Sequence, residues 1–246
     1  SPELAQTLLR LRLAGPRQWG RVRRRVAKMA GPLPRFDSLW LDALRQAGWL
    51  TAYQSQTLTA GQAEELSIAN WLVARRLLPW NGASRLLAYP QTDAFLPAAK
   101  QALSTLLMTN VASANVVALP NQLAQLCELA ERLPDEADTL PQGFGLDSDR
   151  LWLQFSVPRG ESLADVLREH GRLPPHVAWQ VFRQLVQQLA ACERQGLLHG
   201  DIHVRNAWIE RDGTARLYFC GIRPLLERQL DHPTIHNQTN QQDPLS

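Results

Sequence analysis

The order of elements between residues 150 and 222 constrains this chain most: an alternating strand, a break, a long amphipathic helix, a polar loop and a hairpin. In residues 151–157, Leu151, Leu153, Phe155 and Val157 alternate with Trp152, Gln154 and Ser156, which predicts a strand with one buried face. Pro158-Arg159-Gly160 breaks it, and Ser162 is placed to cap a short helix running through Leu167. Over residues 175–195, Val177, Val181, Phe182, Leu185, Val186 and Leu189 recur at helical spacing until Gly196 ends the run. Residues 207–210 and 215–219 flank Arg211-Asp212-Gly213-Thr214, whose Asp-Gly pair supplies the positive φ of a hairpin turn.

Upstream, residues 3–65 read as helical. Leu4, Leu8, Leu9 and Leu11, then Leu39, Trp40, Ala43, Leu44 and Ala47, recur at spacings of three and four. Gly15-Pro16 and Gly31-Pro32 divide the segment, Asp37 and Ser38 are candidate caps, and Gly48 is a stop. This predicts a helical leader module over residues 1–66. Beyond Ile68, Trp71-Leu72-Val73 and Leu86-Leu87-Ala88 predict two strands joined across Pro79-Trp80-Asn81-Gly82. Residues 121–133 form a helix with Leu123, Leu126, Leu129, Ala130 and Leu133 on one face. Trp40, Trp49, Trp71, Trp152 and Trp179 read as core, and the Gln- and Asn-rich residues 231–246 as a disordered polar tail.

Composition narrows the function classes. An apolar content of 45% supports a proper core. Cys127, Cys192 and Cys220 have no metal-ligand spacing, so a reducing cytoplasm is expected, with Cys220 as an apolar filler. No apolar run approaches the roughly 20 residues of a membrane span. The formal charge of +3 is too small for a nucleic-acid binder. Its basic excess, around Arg21, Arg23, Arg24, Arg25 and Lys28, reads as the wet face of a helix, with an acidic partner or a membrane surface as the alternative. A chain beginning Ser-Pro rather than Met reads as an excerpt, a processed product or a shortened form of a longer protein.

The run Leu197-Leu198-His199-Gly200-Asp201-Ile202-His203-Val204-Arg205-Asn206 resembles the catalytic loop of the protein-kinase superfamily, with Asp201 and Asn206 at that family's spacing. The resemblance implies Asp201 as a catalytic base or its relic, Asn206 as a metal and nucleotide ligand, and His199 as a scaffold of the loop. His203 is similar to the residue in aminoglycoside- and choline-kinase-like loops. Residues 151–157, the break and the short helix resemble the family's hinge strand, hinge and following helix, and residues 173–195 the helix that leads into the loop. The implied fold is α+β: a two-lobed protein-kinase-like domain over residues 67–230, with a β-rich first lobe at about 67–157 and a partial helical second lobe at about 158–230. Leu44-Arg45-Gln46-Ala47-Gly48-Trp49-Leu50-Thr51-Ala52-Tyr53-Gln54, followed by Gln62-Ala63-Glu64-Glu65-Leu66, resembles the leader of planctomycete-type bacterial Ser/Thr kinases.

Within the first lobe two placements stand open. Phe95-Leu96-Pro97-Ala98-Ala99-Lys100 resembles the third strand, with Lys100 as the phosphate-pairing lysine; otherwise residues 115–119 form that strand and no lysine is present. Glu128 is the acidic candidate to partner the lysine. Two departures from the family argue against activity. Leu78-Pro79-Trp80-Asn81-Gly82-Ala83-Ser84 offers one glycine where backbone should approach phosphates. Phe219-Cys220-Gly221 stands where an Asp-Phe-Gly element should hold magnesium, which requires oxygen ligands. Only 25 residues follow Gly221, so either the sequence is truncated or a compressed second lobe relies on a partner protein to cover the apolar face of the helix at 175–195. The expectation is a cytoplasmic, catalytically impaired pseudokinase with a regulatory or scaffolding role in signalling, binding ATP and magnesium weakly or not at all. The rival is an active phosphotransferase on protein Ser/Thr or a small molecule, with Asp201 as base and Asn206, aided by Glu210 or Asp212, on the metal.

Overall fold

Four helices open the chain because its Gly, Pro and Thr punctuation stops and restarts the backbone at short intervals. In the computed structural model, which describes residues 1–80, 82–92, 95–110, 119–133, 136–147 and 150–225, these are α1 (Pro2–Arg10), α2 (Pro16–Ala30), α3 (Asp37–Gln46) and α4 (Ala52–Thr59). Pro16 occupies the first turn of α2, where its missing N–H costs nothing, and Gly31 ends that helix at φ +55°. Gly48, at φ +76°, ends α3 as expected. The start of α3 differs from the predicted capping. Asp37 is already its first helical residue, Phe36 precedes it without a side-chain cap, and the Asp37 carboxylate pairs with the N-terminal ammonium group instead.

A six-stranded antiparallel sheet follows, built from β1 (Ser67–Ile68), β2 (Trp71–Arg76), β3 (Ser84–Pro90), β4 (Ser104–Asn110), β5 (Gly143–Asp147) and β6 (Arg150–Ser156) in the order β1-β2-β3-β4-β6-β5. Helix α5 (Leu119–Arg132) lies between β4 and β5 in sequence and buries Leu119, Leu123, Leu126 and Ala130. The strands expected near residues 71, 86 and 151 are β2, β3 and β6. The third strand is not at Phe95–Lys100: Pro97 has no N–H to give a ladder, and Ala98–Lys100 is a single 3-10 turn. That place belongs to β4, whose Leu107 pairs with Arg85 of β3 and Leu153 of β6. The alternative strand at 115–119 lies outside the described residues except for Leu119, the first residue of α5. The predicted polar tail also lies outside them.

The leader and the sheet share one apolar core, in which Leu8, Val22, Val26 and Leu44 pack with Leu66, Leu72, Ala74 and Tyr89. The join is polar as well as apolar. Thr51 caps α4 by accepting from the Gln54 N–H at 3.1 Å, and its hydroxyl donates to the Ala74 carbonyl at 2.7 Å, where β2 bulges. The fully buried Gln54 amide donates to the Val73 carbonyl and the Tyr89 hydroxyl, each at 3.0 Å, and accepts from the Thr51 N–H at 3.0 Å.

The second half holds β7 (Glu161–Ser162), α6 (Leu163–His170), α7 (Pro175–Arg194), β8 (Ala207–Ile209) and β9 (Ala215–Leu217), with the strands in the order β7-β8-β9. Ser162 caps α6 by accepting from Asp165 N–H at 3.1 Å. Gly160 turns the chain at φ +83°, and a Cβ there would fall 2.1 Å from the Ile209 carbonyl oxygen, so only glycine fits. Gln188 stitches α7 to β9 by donating to the Leu217 carbonyl at 2.9 Å and accepting from the Leu217 N–H at 2.7 Å. Beside this inner line, Val181 is buried and Val177, Leu185 and Leu189 are half-buried, whereas Phe182 and Val186 of the apolar stripe face out. Trp179 and Phe182 are 63% and 57% exposed, which corrects the placement of Trp179 in the core.

Because three polar partners converge on one buried amide, Gln54→Leu is expected to lower unfolding stability by about 1–3 kcal/mol. Urea denaturation with an unchanged slope checks it, and a loss under about 0.5 kcal/mol would contradict the assigned role of Gln54.

Candidate functional site

The loop between α7 and β8 is shaped by backbone that few residues tolerate. Gly200 has φ +77°, and a Cβ on it would lie 2.4 Å from Pro224 Cδ. His199 is 4% exposed and pins the loop to the end of β9. Its Nδ1 accepts from the Asp201 N–H at 3.2 Å, which leaves the proton on Nε2 to be donated to the Tyr218 carbonyl, also at 3.2 Å. Burial holds the imidazole below its usual pKa, so the neutral form fits this double role.

Asp201 and Asn206 come together as their spacing implied, but each is already engaged. The Asn206 amide nitrogen donates to the Asp201 carboxylate and, at 3.0 Å, to the Asp201 carbonyl. The other carboxylate oxygen accepts from the Arg223 guanidinium at 3.0 Å. The Asn206 side-chain oxygen accepts the indole N–H of Trp80 at 3.0 Å.

Trp80 arrives from the β2–β3 connection, where it and Ala83 exchange backbone hydrogen bonds of 2.9 and 2.7 Å that close a tight turn. Its ring lies 5.4 Å from that of Phe219, and Phe219 lies 5.1 Å from Phe155 at an interplanar angle of 83°. Leu107 of β4 and Leu123 and Leu126 of α5 belong to the same buried cluster. Phe219 is fully buried at φ +67°, a conformation that costs a non-glycine residue about 1–2 kcal/mol and is held here by the packing around the ring. Gly221, at φ +77°, has no room for a side chain, since a Cβ would meet Leu197 Cδ1 at 2.6 Å. Between them Cys220 is buried, with its sulfur 3.6 Å from that of Cys192; this hydrogen bond and burial push the Cys220 thiol pKa up.

Other candidate residues lie elsewhere. Lys100 is exposed in the β3–β4 connection, whose Ala98 N–H bonds the Gly48 carbonyl of the leader at 3.0 Å. Glu128 is on the outer face of α5, 3.8 Å from Arg132, because Leu126 and Ala130 take the inner face. Neither joins Asp201 and Asn206. His203 is exposed and accepts the Arg205 N–H at 3.2 Å. Glu210 pairs with Arg216 at 3.1 Å, and Asp212 caps its own turn by accepting from Thr214 N–H at 2.9 Å. Trp80 was not read from sequence as a site residue. Its signal was the bulk of the 78–84 loop, where open backbone was expected.

These residues do not fit a magnesium–nucleotide complex as they stand. The Asn206 oxygen already accepts the Trp80 indole N–H, a phenyl ring occupies position 219, and Leu107 rather than a lysine joins the cluster from β4. Among the described residues no group of three or more His, Cys, Asp or Glu is placed to hold a metal ion.

No family model matches the chain. It is 35% identical over 78 residues to the serine/threonine-protein kinase PknL of Mycobacterium tuberculosis, covering 32% of this chain and 20% of that one. To the serine/threonine-protein kinase pkn2 of Myxococcus xanthus it is 37% identical over 87 residues, covering 34% of this chain and 10% of the relative. To the serine/threonine-protein kinase drp72 of Corynebacterium efficiens it is 41% identical over 64 residues, 26% of this chain and 12% of the relative. The chain thus spans a fifth or less of the length of these curated relatives. A crystal structure of Rad53 residues 1–466 in complex with AMP-PNP aligns with a TM-score of 0.49 and 14% identity, covering 63% of this chain and 40% of that one. No helix of the described residues is long and apolar enough to cross a membrane. Over about a quarter to a third of its length, the chain is a distant and partial sequence relative of serine/threonine protein kinases.

Proposed function

We propose that this chain is a pseudokinase: a kinase-like domain whose nucleotide cleft is filled by its own side chains and which acts through its surfaces as a regulatory or scaffolding element in the cytoplasm. The observation that carries this reading is the hydrogen bond from the Trp80 indole N–H to the Asn206 oxygen, with Phe219 packed against the same ring. That oxygen is the ligand the kinase resemblance would give to the metal, and Asp201 and Asn206 remain here as a structural pair. Expelling a buried tryptophan costs about 3–5 kcal/mol. A nucleotide that had to do so would lose roughly two to four orders of magnitude in apparent affinity.

A protein partner is part of the proposal. Trp179, Phe182 and Val186 form an exposed apolar stripe along α7, 63%, 57% and 43% exposed, which suits a protein surface better than water. The rival, an active phosphotransferase, requires Trp80 to swing away and Arg223 to release Asp201. Its support is the retained spacing of Asp201 and Asn206.

Thermal melting with millimolar ATP, with and without magnesium, separates the two readings. The pseudokinase predicts no magnesium-dependent rise, whereas stabilisation of about 2–3 kcal/mol, as for a ligand well above its Kd, would favour the phosphotransferase. Trp80→Phe keeps an aromatic ring, though a smaller one, and removes the indole N–H donor. It is expected to cost about 1–3 kcal/mol by leaving a buried amide oxygen unpaired; an unchanged denaturation midpoint would contradict the assigned contact.

We also propose that His199 is a scaffold rather than a catalytic group. Its folded pKa lies below the unfolded value of about 6.5, so both states are neutral above that pH. As pH falls through about 6.5 the unfolded chain takes up a proton that the folded one refuses, and stability declines. His199→Gln is expected to flatten that acid limb; an identical pH–stability profile in the variant would rule the role out.

A further inference from the structure

The first half of the helical module carries charge out of proportion to the rest of the chain. Residues 1–36 contain nine basic side chains and one acidic, a formal +8, while residues 37–246 contain 17 and 22, a formal −5. On α2 the separation is sharpest. Arg17, Arg21, Arg23, Arg24, Arg25 and Lys28 are all exposed, and the helix has no acidic residue. Among the described residues none of the six has an ion-pair partner, although Arg21 lies over the Trp49 ring at 5.9 Å from its centroid.

The stripe is narrow and straight. At roughly 3.6 residues per turn, Arg17, Arg21, Arg24, Arg25 and Lys28 fall within an arc of about 100° and run about 16 Å along the axis. The buried Gln18, Val22, Val26 and Ala30 take the other side. Like charges at a spacing of four, as in Arg17–Arg21, Arg21–Arg25 and Arg24–Lys28, destabilise a helix rather than support it. An ordinary solvated face intersperses both signs; this one does not.

An apolar tip follows directly. The loop Gly31-Pro32-Leu33-Pro34-Arg35-Phe36 leaves Leu33 63% and Phe36 56% exposed, and Met29 at the end of α2 is 36% exposed. The prolines stiffen this loop, and its direct connection to α2 keeps it beside the last turns, where Arg24, Arg25 and Lys28 lie. Nucleic acid or an acidic protein would neutralise the cations but leave Leu33 and Phe36 in water. A bilayer surface answers both features, since headgroup phosphates meet the cations and the boundary below them accepts a leucine and a phenylalanine.

We infer that α2 and the 31–36 loop form a docking surface for membranes rich in anionic phospholipid, binding peripherally from one side. The surface shares no residue with the Trp80–Asn206 cluster, so the inference does not depend on the proposed function.

Co-sedimentation of the 246-residue chain with lipid vesicles tests it. The chain should pellet with phosphatidylcholine vesicles containing phosphatidylglycerol, remain in solution with phosphatidylcholine alone, and be released as salt is raised. Arg24→Gln with Lys28→Gln should lower the partition coefficient roughly 25-fold, about five-fold for each cation. Leu33→Ser with Phe36→Ser should weaken the binding that persists at higher salt. All four positions are exposed, and circular dichroism of each variant confirms folding before its binding is read. Absence of pelleting with the anionic vesicles at low salt, or equal pelleting with both lipids, would overturn the inference. So would preferential capture by a short DNA duplex that the Leu33→Ser and Phe36→Ser changes leave unaltered, which would make the stripe a nucleic-acid surface.

Discussion

An indole N–H links the first sheet to the loop between α7 and β8, on top of the apolar cluster the two sides share. Trp80, carried by the turn between two strands of the first sheet, donates to Asn206, which in turn donates to Asp201, itself held by Arg223. Where the partners are buried, as in the Trp80–Asn206 and Asn206–Asp201 bonds, each bond strengthens electrostatically and a group left unpaired would cost more than at the surface. The chain of bonds sits on an aromatic stack of Trp80, Phe219 and Phe155, whose ring pairs add about 0.5–1.5 kcal/mol each beyond the area they bury. Apolar packing fills the space between sheet and loop, and the polar chain fixes how it is filled.

Much of the architecture was legible because it is local. The alternation at 151–157, the long amphipathic helix, the Asp-Gly turn and the glycine stops each express a preference of a few neighbouring residues, and they emerge as β6, α7, the β8–β9 hairpin and the ends of α2 and α3. The Asp201–Asn206 pair was legible for the same reason, since five residues of one loop set its geometry. The errors lie where a partner distant in sequence decides. β4 depends on pairing with β3 and β6 on both sides, which the residues from Ser104 to Asn110 do not announce alone. Glu128 and Trp179 sit on helices correctly placed in sequence, but which face turns inward is set by what packs against it. Trp80 meets Asn206 across 126 residues, and only the bulk of its loop hinted that the space beneath would be occupied.

The same contrast of inner and outer faces distinguishes the surfaces. The leader helices are bound to the sheet by a shared core and by the buried Gln54 amide, so their exposed cations are presented on a firm support rather than on a tether. Helix α7 is stitched to β9 by Gln188 on its inner side while its aromatic residues face out. One surface is cationic and the other apolar.

The most direct test of the account is the exchange rate of the Trp80 indole proton, observed by nitrogen-15 NMR and assigned by its disappearance in Trp80→Phe. If Trp80 seals the cleft, that proton exchanges slowly with solvent and neither its shift nor its rate changes when magnesium and ATP are added. Rapid exchange, or a displaced signal in the presence of the nucleotide, would contradict the claim that the protein occupies its own cleft.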